Sequence, residues 1–138
     1  MRILVVVLMS LFLLVGPSVA QPVEAPWQSV VSGQIEAFRA GDGETALGFA
    51  GASFRNAYQN PERFLVDIDR AGYAPLTQSR SHSFGEYRIL EDETVVQIVL
   101  IVGPELRLYE AIYQLGMEDD GSWRVRGVVM RKQDGIGT

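Results

Sequence analysis

The chain has 138 residues, no cysteine, one histidine and a net charge of −5 at neutral pH. Without cysteine, disulfides, thiol nucleophiles and cysteine-ligated metals are excluded. An acidic domain with no basic stripe repels phosphate backbones, which argues against nucleic-acid binding.

Residues 1–20 are the first predicted element. The basic start Met1-Arg2 leads into an apolar run over residues 3–15, relieved only by Ser10. Gly16-Pro17 ends any helix, and Ser18-Val19-Ala20 puts small residues where a signal peptidase cuts. This pattern predicts a signal peptide cleaved after Ala20 and an exported protein, periplasmic or secreted. The apolar run is short of the roughly 20 residues a membrane span needs, so no membrane attachment is expected after cleavage. With no cysteine at the cut, a lipid anchor is excluded as well.

Residues 21–26 read as a short flexible lead, and residues 27–135 as a single α+β domain. Trp27, Val30, Val31, Gln34, Ile35 and Phe38 recur at helical spacing, which predicts a helix over 27–40 with Pro26 at its start and Gly41 past its end. Asp42 is placed to cap a short second helix carrying Ala46, Leu47, Phe49 and Ala50, stopped by Gly51. Ser53 is the expected cap of one further turn with Phe54 and Tyr58. Asn60-Pro61-Glu62 is a stronger start. It predicts a helix with Phe64, Leu65, Ile68 and Ala71 on its buried face, ended by Gly72 and kept from continuing by Pro75.

From about Gln78 the period becomes two. Strands are predicted around 87–90, over 94–102, over 107–118 and over 123–132, with turn chemistry between them. Helices first and an antiparallel meander after them give an α+β fold with helices on one face of a curved sheet. Alternation puts Tyr109, Ala111, Tyr113, Leu115 and Met117 on one face with Trp123, Val125, Gly127 and Val129, and this face should meet the helices. Glu110 or Gln114 should pair with Arg124 or Arg126 on the other. The 94–102 strand is apolar on both sides, with Val96, Ile98, Leu100 and Val102 against Val95, Val99 and Ile101. Either a homodimer covers Val95, Val99 and Ile101, or the strand is buried within one curved sheet and Gln97 marks its wet side.

Several stretches carry a resemblance. They are Ile35-Glu36-Ala37-Phe38-Arg39-Ala40-Gly41-Asp42, Ala46-Leu47-Gly48-Phe49-Ala50, Asn60-Pro61-Glu62-Arg63-Phe64 and Tyr73-Ala74-Pro75. They continue with Tyr109-Glu110-Ala111-Ile112-Tyr113-Gln114-Leu115 and Asp120-Gly121-Ser122-Trp123-Arg124-Val125-Arg126-Gly127. Together they resemble an uncharacterised bacterial family, domain of unknown function 4864, within the nuclear transport factor 2-like (cystatin-like) superfold. The resemblance implies an α+β cone and nearly the whole mature chain. It implies no activity, cofactor or catalytic residue, and the superfold hosts isomerases, dehydratases and binding modules alike.

Cones of this kind often enclose a cavity between helices and sheet. Trp27, Phe38, Phe49, Phe64, Tyr109, Tyr113 and Trp123 are its candidate lining, unless these rings simply fill the core. An isomerase-like site would need a carboxylate base in an apolar pocket facing a hydroxyl donor. Asp67 with Tyr109 or Tyr113 is the weak candidate, although Asp67 also has the spacing of a surface pair with Arg63. His82 is the one titrating group near neutral pH, and no nucleophile-elbow motif supports a hydrolase. One histidine and no cysteine leave no zinc site, and neither acidic turn has the ligand spacing of a calcium loop. The reading is a non-enzymatic module without cofactor that binds an apolar small molecule or a protein partner. The alternatives are a cavity-based isomerase or lyase and a dimeric structural protein.

Overall fold

The computed structural model describes residues 24–133 together with Gly16. The rest of the expected signal peptide, its cut after Ala20, the first half of the 21–26 lead and the expected domain end at 135 lie outside the described residues.

α1 (Pro26–Arg39) buries the predicted stripe of Trp27, Val31, Gln34, Ile35 and Phe38. Its start lacks a polar cap, and the Gln28 side chain accepts from the Ala25 amide instead, at 3.1 Å. Gly41 takes φ +67, which lets the Asp42 amide turn back onto the Ala37 carbonyl at 2.9 Å. Asp42 then caps α2 (Gly43–Gly48) by accepting from the Thr45 amide at 3.1 Å. α3 (Ala52–Ala57) starts one residue before the expected Ser53 cap. Its free Ala52 amide donates to Glu118 at 3.0 Å, and Arg55 pairs with the same carboxylate at 2.9 Å. A carboxylate from the far half of the sequence thus serves as the cap.

Asn60 caps α4 (Pro61–Ile68) as its sequence predicts. The end expected at Gly72 and Pro75 is different. The chain widens into a π-helical turn (Asp69–Tyr73), bends at Gly72 with φ +98, and continues as α5 (Ala74–Thr77). Pro75 sits in the first turn of α5, where its missing N–H costs nothing.

β1 (Ser81–Leu90), β2 (Thr94–Val102), β3 (Leu108–Met117) and β4 (Trp123–Lys132) form one antiparallel sheet in sequence order. The fold is α+β, with the helices in the N-terminal half and a curved, unclosed sheet after them, an arrangement compatible with a nuclear transport factor 2-like cone.

Register corrects three expectations. Val95, Val99 and Ile101 pair with Leu115, Ala111 and Tyr109, and all three are buried in the core. The outward apolar set of β2 is therefore Val96, Ile98, Leu100 and Val102, the reverse of the dimer face expected from the sequence. In β4 the alternation does not run through: Val125 pairs with Leu115 and Gly127 with Gln114, leaving Arg126 as an extra residue. This bulge switches the faces, so Val128 and Met130 point in and Val129 is 59 % exposed. Third, Glu110 pairs with Arg131 at 3.8 Å, not with Arg124 or Arg126.

Gln97 is not on a wet side. It is fully buried, and its amide meets the helices from the middle of β2. Its Oε1 accepts from Trp27 Nε1 at 2.8 Å and Gln28 Nε2 at 3.2 Å. Its Nε2 donates to the carbonyls of Gly85 and Ile98, at 3.0 and 2.8 Å, with Glu86 at 3.3 Å. Gly85 and Glu86 form the bulge of β1. One amide therefore joins the first turn of α1 to the bulged edge strand. Gln97→Leu is expected to cost about 2–4 kcal/mol in urea unfolding, because the Trp27 N–H and the bulge carbonyls lose their partner. Gln114→Leu, on the exposed face, is expected to change stability by less than about 0.5 kcal/mol.

Candidate functional site

The helices do not fill the space above β4. A cavity of about 160 Å³ lies there, walled by Gln34 and Phe38 of α1, Ala50, Phe54 of α3, Phe64 and Ile68 of α4, Tyr73, Leu76, and Val125, Gly127 and Val128 of β4. Three local features hold it open. The Gly33 Cα approaches the Phe49 ring so closely that a Cβ would lie 2.6 Å from it, which draws the α2 end against α1. The Ala50–Val125 bridge, with Gly51 N to Val125 O at 2.8 Å, ties the α2–α3 link to β4. The Tyr73 hydroxyl donates to the Val128 carbonyl at 2.6 Å, so the π-helical turn is pinned to the edge strand.

The wall is apolar except at Gln34. Its amide nitrogen donates to the Ala46 carbonyl at 3.1 Å, and its carbonyl oxygen has no partner among the described residues. The wall carries no carboxylate, imidazole or ammonium. A charged ligand group is thus not matched inside, whereas an apolar body with one donor is.

The expected lining residues are divided. Phe38 and Phe64 line the cavity, 6.1 Å apart ring to ring. Trp27 packs edge-on against Tyr87 and Trp123, at 5.0 and 5.5 Å, away from the cavity wall. Phe49 lies on Gly33, and Tyr109 borders a surface groove with His82. Tyr113 pairs with Val128 across the strands and is wholly buried, and its hydroxyl has no partner among the described residues. Burial pushes that phenol well above its ordinary range, so it stays protonated. The sequence reading missed Phe54, Ile68, Tyr73 and Gln34 as a group. The available signal was Gln34, a polar residue on the apolar stripe of α1.

Asp67, the candidate base, is outside the cavity wall. Arg63 donates to it at 3.1 Å and the Tyr58 hydroxyl at 2.9 Å. The hydrogen bond to Asp67 raises the Tyr58 pKa.

His82 faces α1. Its Nε2 lies 2.9 Å from Ser32 Oγ, and its Nδ1 lies 3.3 Å from Arg39 Nη2. A guanidinium only donates, so Nδ1 accepts and the ring proton sits on Nε2. Ser32 therefore accepts from His82. This is the opposite of a serine activated by histidine, where Nε2 must be the bare nitrogen. Burial and then the Arg39 charge lower the His82 pKa, with Glu36 opposing them.

Among the described residues, no group of three or more His, Asp or Glu could hold a metal ion, and no helix is long and apolar enough to cross a membrane. Residues 20–138 match the family model described as Domain of unknown function (DUF4864). The chain belongs to this family. Neither the curated proteins nor the solved structures contain a match. The family description assigns no activity, and the DUF4864 residues quoted in the sequence are mostly caps, turns and core positions.

Two outcomes check this site. Tyr113→Phe removes a buried, unpartnered hydroxyl and is expected to raise stability by about 1 kcal/mol in urea unfolding; a loss of similar size would reveal a partner. The histidine pKa is depressed in the fold, so the unfolded chain binds the proton first. Stability is then expected to fall as pH drops below the ordinary histidine value of 6.5. His82→Asn should flatten that part of a Tm-against-pH curve.

Proposed function

We propose that this DUF4864 domain is an exported, non-enzymatic binding module that takes an apolar small molecule in the cavity between α1, α4 and β4. The observation that carries this is the 160 Å³ apolar chamber with one uncommitted acceptor, Gln34 Oε1. A cavity of about 150 Å³ accommodates one benzene ring. The occupant is therefore a single ring or the end of a short alkyl chain, with a hydroxyl or amide donor for Gln34. A bulky or ionic part of the ligand stays at the mouth. The signal-peptide pattern of residues 1–20 supports a site of action outside the cytoplasm.

The test uses phenol, toluene and hexan-1-ol, titrated against the folded protein by methyl NMR. Saturable shifts at Ile68, Leu76 and Val128 are expected, with phenol tighter than toluene by about tenfold for one hydrogen bond. Ile68→Trp, which puts a larger side chain on the cavity wall, is expected to abolish them while the fold is kept. Absence of saturable binding by all three would overturn the reading.

A second reading rests on the outer sheet face. Leu100, Leu108 and Val129 are 38, 48 and 59 % exposed there, beside the half-buried Val96, Ile98, Ile112 and Val102. Four strands of this length present a face of about 600 Å² before side-chain relief is added. That approaches the roughly 800 Å² per partner of a standard stable interface. A second copy of this chain, packed face to face about a twofold axis, fits such a self-complementary surface. Leu100→Lys with Val129→Lys is expected to convert a dimer to a folded monomer in sedimentation velocity. A wild-type monomer at high protein concentration would contradict it.

A further inference from the structure

Away from the cavity, four polar side chains converge on the other side of α1. His82 is held between Ser32 and Arg39, and Arg39 Nε donates to Ser79 Oγ at 3.1 Å. Arg39 is exposed and makes no ion pair among the described residues; what sets it apart is that its guanidinium lies against the imidazole of His82. Of its five N–H groups, two are committed to Ser79 and His82, which leaves three for a ligand.

We propose that Arg39, His82, Ser79 and Ser32 form a proton-linked binding site for a small oxyanion, a carboxylate or a phosphate.

The arrangement works as follows. In the neutral ring Nδ1 accepts from Arg39, and the guanidinium is spent on holding an imidazole. Once Nδ1 is protonated it can no longer accept, and two donors face each other. An anionic oxygen between them accepts from both. The guanidinium offers its planar fork. Ser79 Oγ accepts from Arg39 and keeps its own proton to donate. Ser32 accepts from Nε2–H in both protonation states, so the ring is aimed in the same direction throughout. Binding one anion thus takes up one proton, on His82 Nδ1.

The charges that act on the ring are Arg39 and Glu36, both on α1. β2 offers only Ile101 opposite it, and the titratable group on β3 that borders the same groove is Tyr109. Asp69 borders the groove on the far side of Arg39 and Ser79, where it accepts from the Thr77 hydroxyl. Glu36 is the exposed carboxylate that competes with an incoming anion.

His82 is the sole histidine, so its ring resonances report the site without a label. Its titration would be followed by NMR in chloride, in acetate and in phosphate at one ionic strength, for the natural chain and for Glu36→Gln. The His82 pKa is expected to be higher in acetate or phosphate than in chloride by about half a unit, equal to roughly threefold tighter anion binding to the charged ring. The larger response identifies carboxylate or phosphate as the preferred class. Arg39→Gln is expected to remove the anion response and, by removing the neighbouring charge, to raise the His82 pKa in chloride. Identical titrations in all three salts for both the natural chain and Glu36→Gln would overturn the proposal. So would an anion response that persists in Arg39→Gln.

Discussion

The structure depends on one buried amide. β2 is apolar on both faces, and an apolar strand alone does not say which way round it sits or where a helix should cross it. Gln97 supplies that information. It is satisfied only when Trp27 and Gln28 of α1 reach it from one side and the β1 bulge from the other. A buried polar group left unpaired costs several times what a surface one does. Slipping β2 by one residue would put Gln97 outside and Val96 inside, and would leave the Trp27 N–H bare. The amide thus sets strand facing and helix position together.

With its first turn fixed by Gln97 and its last by the Arg39 contacts, α1 crosses the sheet at a set position. The cavity lies along its C-terminal half, at Gln34 and Phe38. A core that merely needed filling could have used a bulkier residue than Ala50. The strapping of Tyr73 to Val128, and of α3 to Glu118, holds the walls in place without occupying the space.

Local chemistry was legible in the sequence. Pro26, Gly41, Asp42 and Asn60 act within a few residues of themselves, and the helices they bound lie where periodicity puts them. The antiparallel meander was legible for the same reason. Bulges were not: the extra residue at Arg126 and the Gly85-Glu86 irregularity leave no mark in composition, yet each reverses the faces of everything beyond it. The Arg126 bulge is why the alternation that puts Val129 inside fails. β2 runs in unbroken register with β3, and its facing is illegible because both of its sides are apolar. Glu118 as a cap for Ala52, and Ser32 as the partner of His82, join residues 66 and 50 positions apart. Only the fold brings such pairs together. The cavity was half legible, since its rings announced an aromatic interior but not which of them would leave a gap.

The central claim is that the chamber beside Gln34 is a binding site and not a packing defect. Native mass spectrometry of the protein, purified without denaturation from the cell that makes it, tests this most directly. A discrete mass above that of the bare chain, lost from Ile68→Trp, is the expected result. A bare chain alone, from the natural protein and the variant alike, would contradict it.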